Sequence, residues 1–251
     1  IVSSGYGYYI EGNDVYFDTS KIKTYGSVSN QNMDALFADV RIKNNESKQN
    51  PHDFVLWKRT ENGLQWATKW FKGRPGWHTE CAYLINKLIG PQATIHGGGM
   101  DLKFPHHENE NAQNQALFNC DIAKVWLHIA MINIDNEKMS KSLGNFVLVN
   151  DIRKHIDPQV LRFFMLSVHY RHPINSSQEL VENAQNGLAR IRTSYANLAH
   201  RLEASPELGD YKDIWLNKIE EVRSQFTTAM DDDFNTANGI AALFELASLA
   251  N

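Results

Sequence analysis

Cysteine is scarce. The 251 residues hold only two, Cys81 and Cys120. That is too few for a disulfide framework, so the reducing cytoplasm is the expected compartment. Long apolar runs are missing too. Nowhere do about 18 consecutive apolar residues occur, the length a membrane-spanning helix needs, and no membrane partner is expected. Residues 1–12 lack a basic stretch followed by an apolar core, so they do not read as a signal peptide. Charge of one sign is also absent. With a net charge of −4, the chain as a whole is not an electrostatic glove for nucleic acid, although a local basic site is compatible with it. Seven prolines and 15 glycines exclude a collagen-like chain. What is present is ordinary for a soluble globular protein: 42% apolar and 22% charged residues, enough chain for one large domain or two to three small ones. The chain opens on Ile1 rather than Met and stops inside an apolar helical pattern, and is read as an internal fragment.

Three textures follow one another. Tyr6–Ile10 and Val15–Phe17 are aromatic and β-branched runs flanking the turn residues Glu11–Asp14, which predicts a hairpin. Residues 19–53 are polar and broken, with Asp39–Ile42 as a short candidate strand, so this part reads as a loop-rich insertion with one marginal sheet. From Gly73 the pattern changes. Gly73–Trp77 reads as a rigid turn, Thr79–Leu88 as a helix, Thr94–His96 as a strand running into Gly97, Gly98 and Gly99, Pro105–Phe118 as a second helix, and Val125–Ile134 as strand and turn. That alternation suggests half of a parallel α/β sheet. From Asp157 the chain is helical. Asp157 and Pro158 form a helix start, and stripes through Leu180, Ala184, Leu188, Ile191, Tyr195, Leu198 and Leu202, then Trp215, Ile219, Val222 and Phe226, then Ile240, Leu243, Phe244 and Ala247, predict the core of a bundle. Ser205–Pro206 is the expected end of the first of these helices, and Asp233 or Asn235 the cap of the last.

Three constellations carry chemistry. His106 and Glu110 lie four apart, so a helix projects them from one face, and a thiolate from Cys81 would complete a set that suits zinc with one position open. Each residue also has a plain reading: a small buried hydrophobe, a helix cap, a helix surface. His107 and Glu108 compete, but point to other faces of the same helix. The second constellation is Lys138-Met139-Ser140-Lys141-Ser142 with Gly144, a cationic loop suited to phosphate oxygens, or else a solvated turn. The third is Gly97-Gly98-Gly99. Here a ligand can approach the backbone, but neither a phosphate-binding loop ending in Gly-Lys-Ser/Thr nor a dinucleotide fingerprint is formed, and a hinge is the alternative.

In combination these motifs are specific. Gly73-Arg74-Pro75-Gly76-Trp77-His78-Thr79-Glu80-Cys81, then His96–Leu102, then Phe104-Pro105-His106-His107-Glu108-Asn109-Glu110, then Lys138–Ser142, in that order, resemble the cysteinyl-tRNA synthetases, a family of class I aminoacyl-tRNA synthetases. The resemblance covers essentially the whole chain. It implies a zinc ion held by two cysteines, a histidine and a glutamate, of which Cys81, His106 and Glu110 match three. The fourth ligand belongs to an upstream half with the HIGH signature, and neither occurs in this sequence; Cys120 matches no ligand motif. Trp77, His96 and Asp101 match residues lining the cysteine pocket, and Lys138–Ser142 matches the KMSKS signature, whose second lysine, Lys141, contacts ATP phosphates. One departure is His128-Ile129-Ala130, where relatives carry a glycine near the nucleotide.

The resemblance implies α/β plus α architecture: a connecting insertion over 1–72, the second half of a Rossmann-type catalytic domain over 73–150, a stem-contact segment over 151–178, and the start of a helical bundle over 179–251. It implies ligation of cysteine to tRNA(Cys) through a cysteinyl-adenylate with ATP and Mg2+, and zinc selecting the thiolate over the hydroxyl of serine. A monomer is expected, and the chain by itself is expected to be inactive in pyrophosphate exchange. Three other readings are a cysteine ligase acting on an aminosugar, a zinc hydrolase using His106, His107 and Glu110, and a non-enzymatic helical interaction module. The run Met230–Thr236 favours the tRNA enzyme over the first of these.

Overall fold

The turn at Glu11–Asp14 does what its composition predicts: β1 (Gly7–Tyr9) and β2 (Val15–Phe17) pair antiparallel around it. The computed structural model describes residues 1–31, 48–139, 144–204 and 212–250, so the candidate strand at 39–42 and the expected helix end at 205–206 lie outside the described residues. Two units, Ile1–His128 and Ile129–Asn251, are each built around their own contacts.

In the first unit the sheet is larger than the marginal one expected. β3 (Phe54–Arg59), β4 (Trp66–Ala67) and β5 (Lys72–Pro75) extend the hairpin into five antiparallel strands in the order β1-β2-β3-β5-β4. Gly73–Pro75, read from sequence as a rigid turn, is strand. Pro75 takes the last position of β5, and the next N–H, that of Gly76, donates to the Leu56 carbonyl (2.9 Å). Period-2 alternation buries Phe54 and Leu56 of β3 against Val15, Phe17, Ile22 and Phe71, with the Phe17 and Phe54 rings stacked 4.9 Å apart. Asp53, buried, takes donors from Tyr8 Oη, Thr19 N, Thr19 Oγ1 and Asn50 N, which ties the strands to the loops beside them.

Helix α1 (Trp77–Leu88) leaves this sheet at Gly76. A Cβ at Gly76 would stand 1.9 Å from the Val55 carbonyl oxygen, so the chain turns into the helix only because that atom is missing. β6 (Ala93–Gly99) follows, and Gly97, Gly98 and Gly99, read from sequence as a segment after the strand that a ligand could approach or else as a hinge, are part of the strand itself. After a short turn at Met100–Leu102 and a kink with extended Phe104, helix α2 (Glu108–Phe118) begins, then β7 (Ala123–Ile129), which pairs with β6. Ala82, Ile122 and Ala123 pack under Ile85 and Trp126.

In the second unit β8 (Ile132–Ile134) pairs antiparallel with β9 (Glu137–Lys138) and parallel with β10 (Ile174–Ser176). α3 (Val149–Ile152) and α4 (Pro158–Leu166) lie between them in sequence. Asp157 caps α4 by accepting from Gln159 N, with Pro158 at the first helical position, as its sequence predicts. The long helices are α5 (Gln178–Ala204), α6 (Lys212–Asp231) and α7 (Thr236–Leu249). Asn235, not Asp233, caps α7. Asp233 instead accepts from Tyr170 Oη (2.6 Å) and Arg171 Nε, which hold its carboxyl down at about 2.

The expected bundle stripes are corrected in part. Leu180, Tyr195, Leu198, Leu202, Trp215, Ile219, Phe226 and Leu243 remain exposed, Tyr195 at 76%. The buried positions are smaller: Ala184, Ser194, Val222, Gly239, Ala242 and Ala247. Small side chains let helix axes approach closely, and the large residues beside them then fall at the rim. No helix among the described residues is long and apolar enough to cross a membrane. Gly76→Ala is expected to destabilise the protein by about 2 kcal/mol or more through its clash with backbone, read as a lower urea midpoint.

Candidate metal centre

Two helices, the turn that leads into the second of them and the middle of a strand deliver the chemistry. Cys81 comes from the first turns of α1, His106 from the helical turn just before α2, Glu110 from the first turn of α2, and His96 from β6. Because His106 is already helical and four residues ahead of Glu110, the two project from one face. Ligand atoms of Cys81, His106 and Glu110 all lie within 4.8 Å of one another. A second trio, His96, His107 and Glu110, meets the same limit and shares the glutamate. His107, which the helical pattern aims at another face, therefore stands nearer this centre than its place in sequence suggests.

Glu110 is the hub. Its side chain is 0% exposed, with His96 Nε2 2.7 Å from Oε2 and His106 Nε2 2.8 Å from Oε1. The approach of His106 is out of line for a hydrogen bond, so Oε1 is a buried oxygen without a hydrogen-bond partner. Burial raises the Glu110 pKa, but the contacts with His106 and His96 outweigh it and hold the group at about 2. The carboxylate is thus ionised. Cys81 is pushed the other way, up to about 11, by burial and then by the negative charge of Glu110. A thiol so placed stays protonated unless a cation joins it. A buried carboxylate oxygen lacking a donor, a thiol beside it and an imidazole within reach together fit a divalent zinc-type cation. The residues Cys81, His106 and Glu110 would hold it.

A shell of rings surrounds the donors. His78 Nδ1 lies 2.9 Å from His106 Nδ1, so both His106 nitrogens are engaged. Trp77 stacks on His106 with centroids 4.3 Å apart while remaining largely exposed. His107 Nδ1 meets His128 Nε2 at 2.9 Å, and Trp126 packs against His96, His107 and His128. Burial pushes both His78 and His107 down to about 4, so both rings are neutral at physiological pH. Neutral rings keep lone pairs available; ligating or supporting histidines need that. His78, Trp126 and His128 were assigned no role from sequence. His78 lies inside the Gly73–Cys81 motif, beside Trp77, and that neighbourhood could have flagged it; Trp126 and His128 lie outside the motif segments.

The other sequence candidates fall as follows. Gly98 faces His107, where a Cβ would lie 2.9 Å from the imidazole Cε1, so this glycine makes room for the histidine shell as well as lining the strand. Asp101 stands exposed on the turn after β6, its carboxylate beside Gly99. Lys138 is in β9, Met139 follows it half-buried, and Ser140, Lys141 and Ser142 lie outside the described residues. Ala130 N donates to the Tyr170 carbonyl (2.8 Å). Cys120 is in neither trio, and its sulfur lies 3.8 Å from the Pro91 carbonyl oxygen.

Comparison with known proteins bears on this centre. The family of class I (C) tRNA synthetase catalytic domains matches residues 1–186, and the DALR domain matches residues 225–251. A cysteine–tRNA ligase of Anoxybacillus flavithermus is 58% identical over 252 residues, covering 100% of this chain and 54% of its own length. One of Geobacillus thermodenitrificans is 57% identical with the same coverage. The chain thus spans about half the length of these curated relatives. Among solved structures, methionyl-tRNA synthetase of Mycobacterium tuberculosis superposes with a TM-score of 0.64 at 14% identity, over 97% of this chain and 56% of that one. The leucyl-tRNA synthetase of Agrobacterium radiobacter K84, in a ternary complex with tRNA, gives a TM-score of 0.58 at 16% identity, over 74% of this chain and 28% of that one. At those identities the likeness speaks to fold, which is that of a class I synthetase catalytic domain. With the family match spanning most of the chain and relatives this similar along all of it, the chain belongs to the cysteinyl-tRNA synthetases, the class I (C) aminoacyl-tRNA synthetase family.

Proposed function

We propose that this chain carries the cysteine-selecting part of an ATP-dependent, cytoplasmic cysteine–tRNA ligase, which joins cysteine to tRNA(Cys) through a cysteinyl-adenylate. The observation that carries the reading is the donor trio Cys81, His106 and Glu110 around a buried carboxylate oxygen that lacks a hydrogen-bond partner. Zinc held there supplies a soft contact for the thiolate of cysteine, a contact that the hard, protonated hydroxyl of serine does not match. An apolar pocket alone separates such near-isosteres only about 100-fold, so a sulfur-specific contact makes a separate editing site unnecessary.

The chain's own residues do the rest. Glu110 orients His106 and His96 by contact, and His78 braces the far nitrogen of His106. Trp77, His96 and Asp101 line the amino-acid pocket, and Gly97, Gly98 and Gly99 leave the backbone open beside it. The carboxylate of cysteine is ionised already, so its attack on the α-phosphorus of ATP needs no general base. Pyrophosphate leaves as negative charge grows on the phosphate oxygens. Lys138 and Lys141, with Met139, Ser140 and Ser142 of their loop, answer that charge alongside Mg2+. The acyl group then passes to the terminal ribose of tRNA. In this reading residues 1–72 are the connecting insertion, 73–150 the catalytic half, 151–178 the stem-contact segment and 179–251 the start of the bundle. The aminosugar ligase, the zinc hydrolase and the helical interaction module are not favoured, because the highly similar relatives named above are cysteine–tRNA ligases.

In a protein of the relatives' full length, cysteine is expected to drive ATP–pyrophosphate exchange and serine is not. Equal exchange with serine would overturn the reading. Replacing Cys81→Ser should raise the KM for cysteine about 10- to 100-fold, with zinc lost from the purified protein. A normal KM together with one zinc per chain speaks against the trio. Lys141→Ala should lower kcat of exchange by about 100-fold or more at unchanged KM for cysteine, since it removes charge stabilisation confined to the transition state.

A further inference from the structure

The turn that carries His106 and Glu110 is held from behind. In an α-helix, side chains two residues apart point about 200° from each other, so Glu108 faces away from the donors on either side of it. It faces the loop of residues 24–29. Glu108 is 1% exposed. Its Oε1 accepts from Gly26 N (2.8 Å), and its Oε2 accepts from Ser29 N (2.8 Å) and from Ser29 Oγ (2.9 Å). The neighbouring Asn109 Oδ1 accepts from Tyr25 Oη, and Thr24 Oγ1 donates to Gln115 Oε1 (2.8 Å) further along α2. Helix α2 has no side-chain cap of its own at its start. Its first turn is therefore placed by two grips: the donor cluster on one face and this loop on the other.

We propose that Glu108 is a positioning residue for the cysteine site, clamping the 24–29 loop onto the ligand turn so that the aim of His106 and Glu110 depends on that loop. This rests on the function proposed above for the trio. The chemistry favours a carboxylate here. Three donors converge on two oxygens, and charge-assisted hydrogen bonds to backbone N–H groups are short and strong. An amide in its place turns one oxygen into a donor facing a donor. The turn then slides or rotates, and both ligand atoms move with it, since Glu110 is two residues on and His106 two residues back.

The test uses the full-length protein as wild type, Glu108→Gln, Ser29→Ala and the double variant. It measures KM for cysteine and for ATP in cysteine-dependent exchange, zinc release to a chelator, and Tm. Glu108→Gln should raise KM for cysteine about tenfold and speed zinc release, with KM for ATP changed less than about twofold. Ser29→Ala should shift the same two readouts less, and the double variant should be no worse than Glu108→Gln, because both remove one shared contact. A lowered Tm with cysteine KM and zinc release unchanged, or a parallel rise in both KM values, would overturn the clamp. Should Glu108→Gln not fold, Ser29→Ala decides alone, by its effect on cysteine KM and zinc release. Absence of cysteine-dependent exchange in the wild type would instead defeat the proposed function, while zinc release from the variants would still judge the clamp.

Discussion

A fully buried carboxylate, Glu110, sits between two imidazoles and a thiol, and the rings and turns packed beside it are arranged around the problem this creates. Burying an anion is costly unless donors or a cation surround it. Two histidine nitrogens at 2.7 and 2.8 Å keep it ionised, yet one oxygen is still without a hydrogen bond. Burial, and then that negative charge, push the nearby Cys81 thiol up to about 11. A soft divalent cation resolves both difficulties at once, satisfying the oxygen and allowing a thiolate. In the function proposed above, selection of cysteine over serine is the same physics seen from the substrate.

The surrounding fold supplies stiffness. Gly76 permits a sharp exit from the sheet into the helix that carries Cys81, and Gly98 yields space to His107. The five-stranded sheet contributes through Phe54, whose ring meets His78 edge-on at 5.5 Å, and His78 in turn touches His106. Core and site are therefore one network in this unit. Changes in the packing of this sheet have a route to the donor trio that needs no large motion.

Much of this was legible in order and little of it in space. His106 and Glu110 are recognisable as a pair because i, i+4 spacing on a helix is a local property, and the order of the motifs, through the resemblance to a family, joins Cys81 to them. The hairpin, the Asp157–Pro158 helix start and the long helices also follow from local rules. The five-stranded sheet was not legible, because β4 and β5 are short and Gly73 and Pro75 read as a turn until a partner strand is present. The bundle stripes were over-read for a related reason. Periodicity reports which residues are apolar, but helix approach is set by Ala, Ser and Gly at the contacts, and the larger residues remain exposed. The roles of Trp126 and His128 were invisible, since ring contacts between residues about 20 to 30 apart in sequence leave no mark on spacing.

The sequence by itself determined the local chemistry: which donors exist, which pair shares a helix face, where helices start, and to which family the motif order belongs. Tertiary structure alone decided that β6 brings His96 to the same carboxylate, that His107 joins a second trio, and that Glu108 points into a loop some 80 residues earlier (|i−j| = 82 and 79 for its bonds to Gly26 and Ser29). The physical reason is range. Backbone geometry fixes neighbours within a turn or a hairpin, whereas the burial and charge that tune Glu110 and Cys81 arise only when distant segments exclude water together.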